Sequence, residues 1–404
     1  MNHYGVIMAG GGGTRFWPLS RQKTPKQLLN LSGKDLMVNE AVDRMATVIG
    51  KSNILIVTSE LQASAMIEAT AGRVFPGNIL TEPAARNTAA CIGYAAMKIL
   101  KTYGDGIMII TPADHYIKDV PSLVNVFRKA IETAEQQDKL VTIGIKPTYP
   151  STGYGYIKCA GDGSKSTMSM GELISGVERI NDAAKAAESE DNRISNVTET
   201  VGSGDKTPEA GDIRQVLEFR EKPDEETAAG YLRQGSYLWN SGMFIWKAGL
   251  ILEKMKEYVP DVYADLEKIG SSMNTPGEQG VLHEVYPRIR NISIDYAVME
   301  PSAAHNDVLV IPGDFGWSDI GSWDMMEVLH DRDDSGNVVT GNALLMDTRN
   351  SIVHAGNKQV VVLGADNLVV VDVADALLVC DRNKTQSIRL VVDKLREEGK
   401  AGLL

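Results

Sequence analysis

The sequence predicts an α/β fold, with a mixed, mainly parallel sheet covered by helices on both faces and a small all-β domain after it. Three observations carry that expectation. As far as Ile145, short runs that are apolar on both faces alternate with segments of helical periodicity, as parallel strands under helices require. Strand and helix follow one another in turn, the pattern of βαβ units. After about residue 335 the pattern changes to short β runs separated by Gly, Asn and Asp, "NALLMDTRNSIVHAGNKQVVVLGADNLVVVDVADALLVCD", which reads as an all-β unit.

The elements follow in order. "YGVIMA" (4–9), "NILIVTS" (53–59), "GIMIIT" (106–111) and "LVTIGI" (140–145) read as buried strands. Val38, Ala41, Val42, Met45, Val48 and Ile49 make one stripe at helical spacing, and 87–100 and 121–137 give two more helices. "QVLEFREKP" (215–223) is a strand, with a helix near 224–234 and a strand at "WNSGMFIW" (239–246). Helices fill roughly 248–285, strand-like runs return at 307–317, and a charged helix closes the chain at 384–398. The expected division is a domain over 1–334 and a β-rich domain over 335–404. The first is interrupted at 161–212 by a stretch with eleven acidic and five basic residues, half of the net charge of −12. "ISGVERINDAAKAAES" within it suits one amphipathic helix. The stretch reads as a long surface insertion, expected to be mobile and to take no part in chemistry.

Composition narrows the function classes. With a net charge of −12 and no cluster of lysines and arginines, nucleic acid and acidic membrane surfaces are poor partners. Cys91, Cys159 and Cys380 are far apart and odd in number, which fits a reducing compartment better than a disulfide framework or zinc site. Met1 runs into a strand without the charged and apolar regions of a signal peptide. The most apolar stretch, 360–380, is broken by Asp366, Asp372 and Asp375, short of the ~18 residues a span requires. The expected location is the cytoplasm.

In open α/β sheets ligands bind beyond the C-terminal ends of the strands, so the residues there come first. "AGGGGTRFWPLSRQKTPKQL" (9–28) follows the first strand. It lacks the Lys-Ser/Thr pair of a P-loop, and Arg15 stands where a dinucleotide fingerprint puts its third glycine. A tight turn needs fewer than four glycines, so backbone N–H groups brought close to phosphates are the better reading. Arg15 then offers a planar fork and Lys26 a point charge. "TPADH" (111–115) puts Asp114 after the third of these strands, as a metal ligand or a helix cap, and "FGWSDIGSW" (315–323) offers Asp319 in a comparable place. Two such carboxylates suit Mg²⁺, which takes oxygen ligands only. His115 reads as structural. "FREKP" (219–223) holds Glu221 and Lys222, either a solvated surface pair or readers of a sugar phosphate. "WNSGMF" (239–244) and "STGYGYI" (151–157) add an asparagine and glycines that would let a sugar ring approach.

In order, "GGGGTRFWPLSRQKTPKQ", "TEPAARNTAA", "TPADH", "TGYGYI", "FREKP", "WNSGMF", "SIDYAVME" and "WSDIGSW" resemble the signatures of the mannose-1-phosphate guanylyltransferase family of sugar-phosphate nucleotidyltransferases. The resemblance spans residues 4–330 and implies a Rossmann-like domain with a left-handed β-helix tail. It implies that Gly10, Gly11, Gly12, Gly13, Arg15 and Lys26 hold GTP phosphates. Glu82 would read the guanine edge, with Arg86, Asn87 and Thr88 nearby. Asp114 and Asp319 would hold Mg²⁺, and Gly155, Glu221, Lys222, Asn240 and Asp295 would bind the sugar phosphate, with Arg15, Lys26, Asp114 and Lys222 catalytic. The activity implied is transfer of GMP from GTP to α-D-mannose 1-phosphate. The alternatives are another sugar 1-phosphate, or a regulatory, non-catalytic relative. Two departures stand out. The acidic insertion fills an interval that is short in the family, and the chain has no H-x-H, so no isomerase activity is expected. The β tail is a candidate dimer surface.

Overall fold

A computed structural model of the chain describes residues 1–161 and 212–404. The insertion expected at 161–212, with the helix inside it, lies outside the described residues apart from its two end positions.

The N-terminal half alternates as the periodicity requires. In chain order it holds β1 (Asn2–Met8), α1 (Met37–Ala46), β2 (Ile54–Ser59), α2 (Ala63–Ala69) and β3 (Ile79–Glu82). There follow α3 (Asn87–Tyr103), β4 (Gly106–Pro112), β5 (Tyr116–Ile117), α4 (Val120–Gln136), β6 (Leu140–Ile145) and β7 (Gly155–Cys159). Next come β8 (Arg214–Glu221), α5 (Glu225–Gln234), β9 (Tyr237–Lys247), α6 (Ala248–Tyr258), α7 (Pro260–Ser272) and α8 (Glu278–Val285). A short helix α9 (Glu300–Ala304), β10 (Val308–Gly313) and β11 (Trp317–Ser318) complete the domain.

Local chemistry sets the boundaries. Asp119 starts α4 by accepting from the N–H of Ser122 at 3.1 Å, with Pro121 in the first turn. Pro223 stops β8, Asp224 caps α5 through the N–H of Thr227 at 2.8 Å, and Gly235 ends α5 at a φ of 72°.

Nine strands form one sheet in the order β3-β2-β1-β4-β9-β6-β10-β8-β7, with β7 also pairing β9. β8 and β9 run against the other seven, so the sheet is mixed and mainly parallel as expected. Alternation along each strand builds two cores. Met108 and Ile110 of β4 face one core, with α3, α6 and α7, while Ile107 and Ile109 face the other, with α1 and α4. Truncating one of these fully buried isoleucines to alanine costs about 2–5 kcal/mol.

The C-terminal unit is a β-helix. β12 (Val338–Thr340), β14 (Ile352–His354) and β16 (Leu368–Asp372) stack in parallel, β13 (Ala343–Met346) pairs β15 (Val360–Leu363), and β17 (Leu377–Asp381) closes on β16 antiparallel. The terminal helix α10 (Ile388–Glu397) begins later than the sequence suggests, because a 3-10 turn occupies Arg382–Ser387. This unit shares a core with the first domain. Phe16, Trp17, Ile320 and Trp323 pack in one cluster with Val369, Val371, Leu378, Ile388 and Val392.

Candidate functional site

The sheet order places β1 beside β4, and the loops after them share one cleft. The glycine loop is built so that its carbonyls are tied from below. Buried Gln27 donates its Nε2 to the carbonyls of Ala9, at 2.6 Å, and Gly11, at 3.0 Å, and Ser20 donates to that of Gly13 at 2.8 Å. Among the described residues the N–H groups of Gly10, Gly11, Gly12 and Gly13 have no protein acceptor. Tied carbonyls and N–H groups without protein acceptors are what an anion-binding nest requires. Gly13 sits at a φ of 56°, where a side chain would also run into Lys26.

Lys26 lies beneath this loop, only 4 % exposed. Its ammonium commits all three N–H groups, to the Asp114 carbonyl at 2.9 Å, Asp114 Oδ2 at 3.0 Å and the Asp319 carbonyl at 2.5 Å. The structure thus brings the two aspartate loops together on one buried cation. Burial pushes the Asp114 carboxyl up, but the Lys26 ammonium and neighbouring His115 draw it below the ordinary value. Asp319 Oδ1 accepts from the Tyr154 hydroxyl at 2.7 Å. Neither Asp114 Oδ1 nor Asp319 Oδ2 has a side-chain hydrogen-bond donor among the described residues. His115 Nδ1 accepts from Trp317 Nε1 at 3.1 Å, and burial lowers this imidazole to about 4. That is a packed, neutral histidine, as the sequence reading has it.

Arg15 is exposed, and its Nη1 donates to Gln386 Oε1 of the β-helix domain at 3.0 Å. Its neighbour across the cleft is the Asp319 loop: a Cβ on Gly321 would lie 3.3 Å from Arg15 Nη1 and 3.1 Å from Asp319 Oδ2. Ile320, between Asp319 and Gly321, is fully buried at a φ of 42°. A β-branched residue there is strained, and such strain gathers where a site over-determines its backbone.

Glu82 ends β3, 6 % exposed. Burial raises its carboxyl to about 7, moderated by the Tyr286 hydroxyl, which donates to Oε1. Oε2 would lie 2.8 Å from a Cβ on Gly10, so the bare glycine leaves that oxygen open towards the loop. Nearby, α3 starts at Asn87, whose φ is 66° and whose Oδ1 accepts from the N–H of Thr88 at 2.8 Å. Thr88 Oγ1 accepts from the N–H of Ile294 at 2.8 Å, and Arg86 donates to the Pro287 carbonyl.

Gly155, Glu221, Asn240 and Asp295 also meet. Gly155 pairs with Glu221 across β7 and β8, and a Cβ on Gly155 would sit 3.4 Å from Asn240. Asn240 Nδ2 donates to Asp295 Oδ1 at 2.7 Å. Burial, then the Glu221 carboxylate, raises Asp295 to about 6. Lys222 has a φ of 47° and a largely exposed side chain, whose ammonium pairs with Glu221 at 2.7 Å. Its N–H donates to the Tyr154 carbonyl at 3.2 Å. Tyr154 therefore joins this cluster to Asp319. Tyr154, Gln27, Tyr286 and Gln386 are residues that sequence reasoning missed. Gln27 follows Lys26 and Tyr154 precedes Gly155, so the motifs flagged both. Nothing in the sequence points to Tyr286 or Gln386.

Comparisons with known proteins show the family. The nucleotidyl transferase family profile matches residues 4–172 and 186–335, and that of the mannose-phosphate isomerase/GMP-like β-helix domain matches 341–395. Mannose-1-phosphate guanylyltransferase of Escherichia coli K12 is 35 % identical over 98 % of this chain and 74 % of its own length. Xanthan biosynthesis protein XanB of Xanthomonas campestris is 34 % identical over 98 % of this chain and 74 % of its own. Among solved structures, the Thermus thermophilus protein described as a mannose-1-phosphate geranyltransferase superposes with a TM-score of 0.78 at 28 % identity, covering 98 % of this chain and all of that one. This chain belongs to the nucleotidyl transferase family, in the group of mannose-1-phosphate guanylyltransferases that carry a C-terminal β-helix domain.

Proposed function

We propose that the chain transfers GMP from GTP to α-D-mannose 1-phosphate, giving GDP-mannose and pyrophosphate. The observation that carries this reading is a hydrogen-bonded path across the cleft. It runs from Asp114 through Lys26 to Asp319, Tyr154 and Lys222, in contacts of 3.0, 2.5, 2.7 and 3.2 Å. It joins an anion nest with two carboxylates at one end to a cluster of Gly155, Glu221, Asn240 and Asp295 at the other.

The roles follow from the chemistry of each group. The N–H groups of Gly10–Gly13 take phosphate oxygens, and Arg15 supports the leaving pyrophosphate. Lys26 holds the two aspartates in register and adds positive charge beneath the nest. Guanine presents N1–H and a 2-amino group, and Glu82 Oε2 is a matching acceptor, framed by Arg86, Asn87 and Thr88. Glu221, Asn240 and Asp295 bond sugar hydroxyls, with Gly155 allowing the ring to approach. Lys222 holds the sugar phosphate in line with the α-phosphorus. That phosphate has a second pKa of about 6, so its oxygen is already an anion near neutrality and needs no general base. The attacking oxygen bonds the α-phosphorus as the bond to the bridging oxygen breaks, and the electron pair leaves on pyrophosphate. Catalysis rests on alignment and on charge placed in advance.

Nucleotidyl transferases work with a divalent metal ion, and we assign Mg²⁺ to Asp114 and Asp319. The fit rests on their donor set, carboxylate oxygens alone, with Asp114 Oδ1 and Asp319 Oδ2 both without a side-chain donor among the described residues. When bound, such an ion offsets charge on the phosphates. Among the described residues no helix is long and apolar enough to cross a membrane. We place the enzyme in the cytoplasm, with Cys91, Cys159 and Cys380 free, and as a homodimer through the β-helix domain. The test of the reaction is product stoichiometry. GTP, mannose 1-phosphate and Mg²⁺ are expected to give GDP-mannose and pyrophosphate in equal amounts. Pyrophosphate release that ignores the sugar phosphate would refute the reading.

A further inference from the structure

We infer that the β-helix domain completes the catalytic site, with Gln386 as the positioning residue that aims Arg15 at the departing pyrophosphate. The inference rests on the reading of Arg15 given above.

The hydrogen-bond logic around Gln386 has one solution. Asp324 is an acceptor, and it takes both the Ser322 hydroxyl, at 2.5 Å, and the Thr385 hydroxyl, at 2.7 Å. The one hydroxyl hydrogen of Ser322 is then committed to Asp324, so its oxygen must accept from the Gln386 amide nitrogen at 2.7 Å. That choice fixes the amide and turns Oε1, an acceptor, onto Arg15 Nη1 at 3.0 Å. Arg15 has no other side-chain partner among the described residues. A guanidinium has five N–H donors, so one bond to Gln386 orients the fork and leaves the rest for phosphate oxygens.

The turn that carries Gln386 is anchored to the segment after Asp319, and the C-terminal turn is anchored to the segment after Arg15. Arg382 donates to the Asp324 carbonyl at 3.3 Å and pairs with Glu327. Trp17 Nε1 and Arg21 Nη1, just beyond Arg15, both donate to the Leu403 carbonyl at 2.8 Å. The apolar cluster of Phe16, Ile320 and Trp323 with Val369, Leu378 and Ile388 locks the three segments together. Contacts separated by more than 350 positions in sequence thus set the geometry of the glycine loop.

The test is a double-mutant cycle on the full chain. Gln386→Met keeps the length of the side chain and removes both bonds. It is expected to lower kcat about tenfold, the loss that a hydrogen bond to a charged group supplies. The KM for mannose 1-phosphate should not change. In the reverse direction the KM for pyrophosphate should rise while that for GDP-mannose holds. In an Arg15→Ala background, Gln386→Met should add less than about twofold. An equal tenfold loss in that background would make Gln386 merely structural and overturn the inference. So would a single Gln386→Met variant within about twofold of wild type. If Arg15→Ala alone keeps near-normal turnover, the reading of Arg15 falls, a result distinct from either of those.

Discussion

The two ends of the cleft are prepared differently. At the end we assign to the triphosphate, the charged side chains are already held by protein partners. Lys26 is buried with all three N–H groups committed, Asp319 is held by Tyr154, and Arg15 by Gln386. At the end we assign to the sugar, the Glu221 carboxylate raises Asp295, and the charge that answers them is the exposed ammonium of Lys222. Rigidity suits the end where charge develops on a leaving group, because preorganised charge acts without reorganisation. Partly exposed carboxylates suit the end we assign to hydroxyl recognition, since a ligand lacking a hydroxyl leaves a polar group of the site unpaired. In the proposed reaction one end stabilises and the other discriminates.

The contrast can be broken most severely at the rigid end. Asp319→Asn keeps the carbonyl that holds Lys26 but removes the charge, and should lower kcat by about 10³ or more while the melting temperature moves little. Turnover within a few-fold of wild type would remove Asp319 from the metal site. At the discriminating end, Lys222→Met should raise the KM for mannose 1-phosphate about tenfold and lower kcat, with the KM for GTP unchanged. A change in the GTP constant alone would show that the sugar end has been misplaced.

Glu82 gives smaller effects. Wild type should prefer GTP to ITP, which lacks the 2-amino group, by about tenfold, and Glu82→Gln should erase most of that preference. Unaltered preference would take Glu82 out of base recognition. The same residue makes stability depend on pH. Burial raises its folded value to about 7 from 4.5, so the fold favours the neutral acid. Its contribution is complete below the unfolded value and is lost as pH rises through the folded one. Between about pH 5.5 and about pH 8, wild type should therefore lose ~2 kcal/mol more unfolding free energy than Glu82→Gln. Urea titrations at the two pH values check this. Equal losses would show that the carboxyl is not raised. The shift at Asp295, to about 6, is common to both proteins and cancels.

Much of this organisation was legible in the sequence. Long apolar strands and strongly periodic helices announced themselves, and the glycine loop, Asp114 and Asp319 fell where strands end. β3 was not read as a strand, because four residues ending in a glutamate carry too little alternation. β7 is hidden by the glycines of "TGYGYI", which read as room for a sugar ring and not as a strand. The burial of Lys26 was not legible either, since its partners, Asp114 and Asp319, lie 88 and 293 positions away. Gln386 was invisible for the same reason, at 371 positions from Arg15. Local pattern reports which residues have chemistry. Which of them neutralise one another is decided by strand order and by the docking of the β-helix.

The pairing of nucleotide and sugar is settled by a matrix of nucleoside triphosphates against sugar 1-phosphates, read by pyrophosphate release with Mg²⁺ present. GTP with mannose 1-phosphate is expected to give the highest kcat/KM, and replacing either partner should lower it. UTP or dTTP with glucose 1-phosphate outrunning that pair would contradict the proposed reaction.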